Sequence, residues 1–142
     1  MIQSQMILGL SAVIYYVSDL DIAKKWYTVF LGVSPFFENQ EFVEFHIGRS
    51  KHELFLIDKR YAGKNISPDP SGPIVYWHTD DVKTTLEKLI SLGAKVYEPF
   101  RGHNGGYSTA SVVDPFGNIL GIMFHPYYER LNPHPLVVLN FA

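Results

Sequence analysis

A strand–helix–strand–strand–strand pattern occurs twice in this chain, and that weak duplication limits the fold more than any other feature. The first copy opens on the apolar, strand-like run Ala12-Val13-Ile14-Tyr15-Tyr16-Val17. Ser18-Asp19-Leu20-Asp21 follows, with Ser18 as the expected helix cap and an acid three residues on. Leu20, Ala23, Tyr27 and Phe30 recur at near-helical spacing, which predicts a helix to about Leu31, stopped by Gly32. Strands are then predicted at Phe36-Phe37, Phe42 to Ile47 and Glu53 to Asp58. The second copy begins at Ile74-Val75-Tyr76-Trp77-His78, takes its cap from Thr79-Asp80-Asp81 and buries Val82, Leu86, Leu89 and Ile90 before Gly93. Its strands are Lys95 to Pro99, Tyr107 to Val113 and Ile119 to His125.

Neither copy, at about 60 residues, buries its sheet face well alone. Side by side they do, with the helices over one face and the other face curling around a cavity. The expected architecture is therefore α+β: two tandem βαβββ modules forming a curved mixed sheet around a cavity. A single domain is expected over 1–142, with a first module at 7–60, a linker at 61–72, a second module at 73–126 and a tail at 127–142. In the tail, Asn132-Pro133-His134-Pro135 forbids a helix. Leu136-Val137-Val138-Leu139 reads as a strand that docks on the domain or pairs with a second chain, and docking avoids an exposed apolar edge.

Composition removes several classes. With 46% hydrophobic residues and a net charge of −2, a folded core is expected and disorder is not. The same charge leaves no footprint for nucleic acid. The absence of cysteine excludes thiolate metal sites and cysteine nucleophiles, and suits a reducing cytosol. Met6 to Val17 is apolar but has no basic residue before it and is shorter than the ~20 residues a membrane span needs. It reads as a buried strand of a cytoplasmic protein with no membrane partner. Neither a phosphate-binding glycine loop nor a nucleophile elbow is present.

Three motifs carry a family resemblance. Val17-Ser18-Asp19-Leu20, Trp26-Tyr27 and Leu31-Gly32 form the first; Asp80-Asp81-Val82 through Leu92-Gly93-Ala94 form the second. The third is the turn Asp114-Pro115-Phe116-Gly117-Asn118, in which Pro115 presets the bend and Asp114 and Asn118 satisfy backbone groups. In this order, on a duplicated frame, they resemble the vicinal oxygen chelate superfamily, which includes glyoxalase I, bleomycin-resistance proteins and extradiol dioxygenases. The resemblance covers Ala12 to about Pro126.

It implies four metal-ligand positions, which fall here on Ala12, Glu53, Ile74 (or Pro73) and Gly121. Only Glu53 offers a donor, and one carboxylate does not hold a divalent cation. No metal and no cofactor are therefore expected. Strand alternation assigns Ala12, Ile14, Tyr16, Glu44, His46, Glu53, Phe55, Ile57, Ile74, Tyr76, His78, Gly121, Met123 and His125 to the cavity. The expected ligand-binding set is Tyr16, Glu44, His46, Glu53, Phe55, Tyr76, His78 and Met123, apolar walls with a few polar groups for a small, partly aromatic molecule. Gly121 is expected to leave room in the cavity. The glycine-rich loop Arg101 to Tyr107 is expected at its mouth as a lid or a mobile turn, with Arg101 or His103 in reach of an anionic or polar ligand. Two alternatives stay open: a metal-dependent lyase, isomerase or dioxygenase with ligands relocated among Glu44, His46, Glu53, His78 and His125, or metal-free acid–base catalysis with Glu53 or His46 as base. Pairing into a homodimer is expected from the family habit and the apolar tail.

Overall fold

The computed structural model describes residues 5–64 and 67–133. The first module comprises β1 (Ala12–Val17), α1 (Leu20–Leu31), β2 (Phe37–Glu38), β3 (Phe42–Ile47) and β4 (His52–Asp58). The second comprises β5 (Tyr76–His78), α2 (Val82–Ser91), β6 (Lys95–Gly102), β7 (Ser108–Val113) and β8 (Ile119–Phe124), and a short α3 (Tyr128–Leu131) follows. Each module builds one four-stranded mixed sheet, ordered β1-β4-β3-β2 and β5-β8-β7-β6. Only β1–β4 and β5–β8 are parallel. The architecture is thus α+β, two βαβββ modules whose sheets are separate and do not close into a barrel.

Alternation decides which face is sealed. Val13, Tyr15, Val17, Val43, Phe45, Leu54 and Leu56 are buried and pack with Ala23 and Tyr27 of α1. The same hydrophobic cluster continues through Val82, Leu89, Ala110, Val112, Leu120 and Ile122, so one core serves both modules. Burying side chains of this size stabilises the fold by about 1.5–3 kcal/mol each.

Polar ties pin the modules together across that core. Tyr15 donates to the Ile119 carbonyl at 2.9 Å, and Trp26 Nε1 donates to the Leu92 carbonyl at 2.7 Å. Tyr27 donates to Asp114 Oδ2, whose other oxygen accepts from the backbone of Phe116 and Asn118. Burial pushes the Tyr15 phenol up to about 12 and the Tyr27 phenol well above its ordinary value, so both stay protonated donors. Burial also raises the Asp114 carboxyl, against the opposing pull of the Tyr27 and backbone hydrogen bonds. The turn expected at Asp114 to Asn118 forms, with Gly117 at φ 90° taking the left-handed bend that a side chain resists.

Several expectations need correction. Asp19, not Ser18, caps α1, accepting from Ile22 N at 3.1 Å. The acid reaches the free N–H groups from the residue next to the first turn, where Ser18 is one residue too early. Ile90 is exposed and Leu86 only half-buried, so the apolar stripe of α2 is narrower than its periodicity implies. Met6, Ile7, Leu8 and Leu10 are exposed, and the strand begins only at Ala12. The first strand of the second module begins at Tyr76 rather than Ile74. The tail strand Leu136 to Leu139 lies outside the described residues. Among the described residues, no helix is long and apolar enough to cross a membrane.

Candidate functional site

The face of each sheet turned away from the helices is read directly from its register. In the first module, Ala12 pairs with Glu53 and Glu53 with His46. The next row is Ile14, Phe55, Glu44 and Phe37. Glu44 and His46, two residues apart on β3, therefore lie on one face with Glu53 across from His46. His46 Nε2 lies 2.7 Å from Glu44 Oε2, and the imidazole stacks on Phe36 at 3.8 Å. One donor atom each from Glu44, His46 and Glu53 falls within 4.8 Å of the others. Two carboxylates and one imidazole on half-buried strands have the chemistry to hold a divalent ion or to move a proton. Phe55 stands beside them and packs on Phe42 at 5.5 Å. Tyr16 shares the face one row further on, next to Ile57, away from the cluster.

In the second module the corresponding row is Tyr76, Gly121, Ser111 and Glu98. Gly121 is not an opening. A Cβ there would come within 2.7 Å of the Tyr76 ring and 2.8 Å of the Val75 carbonyl. The space forgone by the glycine is filled by Tyr76, whose hydroxyl donates to Glu98 Oε1 at 2.8 Å. Ser111, fully buried, donates to the same oxygen at 3.0 Å. Burial and the Glu98 carboxylate together hold the Tyr76 phenol above its ordinary value, so it remains the donor. Around this ring lies a hollow of about 450 Å³, walled by Tyr76, Tyr97, Tyr107 and Met123 and carrying Glu98, Arg101 and His103.

Strand β6 shapes the hollow. Its pairing with β7 shifts between Val96 and Glu98 and again between Glu98 and Arg101. Arg101 pairs with Thr109 and Glu98 with Ser111, so three residues on β6 span two on β7. Without that bulge, alternation would put Glu98 and Arg101 on opposite faces; with it, both face the hollow. Pro99, which has no N–H to give the ladder, sits inside the irregular stretch. The loop expected as a lid or a mobile turn is smaller than its glycines imply. Arg101 and Gly102 belong to β6, and His103 N closes the hairpin onto the Tyr107 carbonyl at 2.8 Å. His103 Nε2 is held by Thr109 Oγ1 at 2.8 Å.

The remaining sequence candidates divide. Tyr76 and Met123 line the second-module hollow; Glu53, Tyr76 and His78 border a seam of about 230 Å³ between the modules. His78 is pinned there: its ring stacks flat on Tyr128 at 4.1 Å and Nδ1 accepts from His125 N at 3.2 Å. His125 Nδ1 accepts from Tyr127 N at 3.1 Å, capping a turn. Neither joins a metal-capable cluster among the described residues. Sequence reading missed Tyr97, Glu98, Tyr107 and Thr109 as lining residues. The one available signal was Pro99 in an otherwise strand-like run, which marks a bulge and so a break in alternation.

The ligand positions implied by the resemblance are not rebuilt. Ala12 pairs with Glu53 in the first module, and the equivalent partner of Gly121 is Tyr76, not Ile74. Ala12 and Gly121 lack donors, the Tyr76 hydroxyl is committed to Glu98, and no side chain fits at Gly121. A metal does not fit at those positions, and the three-donor cluster sits on one module only.

Paired βαβββ modules, each with one sheet face free of the helix layer, define the class of fold. The chain belongs to the Glyoxalase/Bleomycin resistance protein/Dioxygenase superfamily, whose profile matches residues 9–122. No curated protein matches it in sequence. Among solved structures, a glyoxalase-related enzyme from Fulvimarina pelagi is 20% identical with a TM-score of 0.69, over 84% of this chain and 90% of that one. A lactoylglutathione lyase from Agrobacterium tumefaciens is 18% identical with a TM-score of 0.66, over 87% and 98%. A superfamily member from Sphaerobacter thermophilus is 20% identical with a TM-score of 0.68, over 85% and 100%. At these identities the likeness is one of fold.

Proposed function

We propose that the chain binds a small, partly aromatic molecule in the hollow of the second module, without a metal ion at that hollow. The observation that carries this reading is the wall of Tyr76, Tyr97, Tyr107 and Met123 around about 450 Å³, a size and lining suited to a ring. The test is nuclear magnetic resonance titration of the chelator-treated chain with phenol and with benzoate. Shifts confined to the hollow are expected; no shift with either probe overturns the reading.

One observation favours a second reading, in which the protein is metal-dependent with relocated ligands: the convergence of Glu44, His46 and Glu53. It predicts that the chain takes up one equivalent of cobalt(II) and that His46→Ala loses it. Uptake unchanged in that variant removes it. Without an ion, the same cluster offers Glu53 or His46 as the base of metal-free acid–base catalysis. Homodimer formation belongs to the same proposal, supported by the exposed Met6, Ile7, Leu8 and Leu10. A monomeric mass in sedimentation at micromolar concentration overturns it.

A further inference from the structure

The charged groups of the second-module hollow carry more than the presence of a ligand; they specify its polarity, on the premise that the hollow is the binding site. Glu98 and Arg101 face the same space because of the β6 bulge. Among the described residues they form no ion pair with each other, nor does Arg101 pair elsewhere. The two charged groups therefore do not satisfy each other. Glu98 is oriented: the hydroxyls of Tyr76 and Ser111 both address Oε1, at 2.8 and 3.0 Å. Among the described residues no hydrogen bond reaches Oε2, which leaves it as an acceptor for a ligand. An acceptor-only carboxylate asks for a hydrogen-bond donor; a guanidinium asks for an anion and prefers a planar carboxylate it can grip with two N–H groups. The same hollow is lined by the rings of Tyr76, Tyr97 and Tyr107.

We propose that the hollow selects a flat aromatic anion, a ring with a carboxylate for Arg101 at one end and a hydroxyl or amino hydrogen for Glu98 at the other. A bare ring uses only the walls, and a ring with one polar group uses one end. His103, tied to Thr109, closes the side of the hollow near Tyr107.

The test compares 4-hydroxybenzoate, benzoate and phenol by titration of the intact chain. 4-Hydroxybenzoate is expected to bind about tenfold more tightly than either single-ended probe, one charge-assisted hydrogen bond being worth about that factor. Arg101→Gln is expected to remove most of the advantage of 4-hydroxybenzoate over phenol. Glu98→Gln is expected to remove most of the advantage of 4-hydroxybenzoate over benzoate. Equal affinity of the three probes for the unaltered chain overturns the proposal and leaves the binding reading standing, as does a preference for phenol. Absence of binding by all three overturns both. Because the probe series uses the unaltered chain, the outcome does not depend on either variant folding.

Discussion

The two modules repeat one topology and use it for different chemistry, and the difference lies mainly in the outermost strand. In the first module that strand, β2, has two residues and forms no wall. The polar groups stay on the inner strands, where Glu53 sits between Ala12 and His46. In the second module the outermost strand, β6, has eight residues and two register shifts. Its carboxylate, Glu98, is at the edge, and the middle of the row is the glycine over which Tyr76 lies. A short edge leaves a half-buried acid–imidazole cluster on the inner strands; a long, bulged edge adds an exposed wall to a ring-lined hollow. Duplication of a frame thus preserves the sealed face, which packs, and frees the other face to diverge.

The largest expected effect tests what the modules share. Asp114→Ala strips the buried Tyr27 hydroxyl and two backbone N–H groups of their acceptor, and is expected to cost about 3 kcal/mol in urea unfolding. A loss within the error of the measurement shows that the modules do not depend on this tie. Small residues on the free faces of the two sheets then give opposite results. Gly121→Ala drives a Cβ into Tyr76 and the Val75 carbonyl and is expected to cost about 1–3 kcal/mol, whereas Ala12→Gly costs about 0.5–1 kcal/mol through backbone entropy alone. Equal costs break the contrast between the two rows.

Acid titration probes the same tie more gently. Burial holds the Asp114 carboxyl above its ordinary value, so between that value and the higher folded one the native chain binds more protons than the unfolded chain. Asp114 thus adds stability at the acid end of the window and withdraws it as pH rises, at no more than about 1.4 kcal/mol per pH unit. Subtracting the unfolding profile of Asp114→Asn from that of the unaltered chain is expected to reveal this downward slope. The smallest effect is Tyr76→Phe. It keeps the ring over Gly121 and removes the hydroxyl that fixes Glu98, so 4-hydroxybenzoate is expected to bind severalfold more weakly, about 1 kcal/mol. Unchanged affinity means that Ser111 alone orients the carboxylate.

The fold was legible because it rests on periodicity. Leu20, Ala23, Tyr27 and Phe30 on α1, and the alternating Val43, Phe45 and Leu54, Leu56 on β3 and β4, sit where spacing places them. The first-module cluster was legible for the same reason, since Glu44, His46 and Glu53 obey strict alternation in regular strands. The hollow was only half legible. Tyr76 and Met123 follow the rule, but Glu98 and Arg101 share a face only through an extra residue in the ladder, and alternation does not anticipate that. Nor does a sequence reveal that Gly121 is the floor under a ring rather than a gap; that depends on which rotamer its neighbour adopts. His78 looked available because its strand position is right, yet stacking on Tyr128 from beyond β8 takes it out of use.

The bulge in β6 has an evolutionary corollary. Because this strand lies at the margin of its sheet, dropping one residue between Glu98 and Arg101 would straighten the ladder, leave both side chains on one face and not disturb the buried ladder of β5, β8 and β7. Descendants of such a chain can therefore gain or lose a codon at this margin and still present the same two charges to a guest, so the edge tolerates changes of length that a core strand would not.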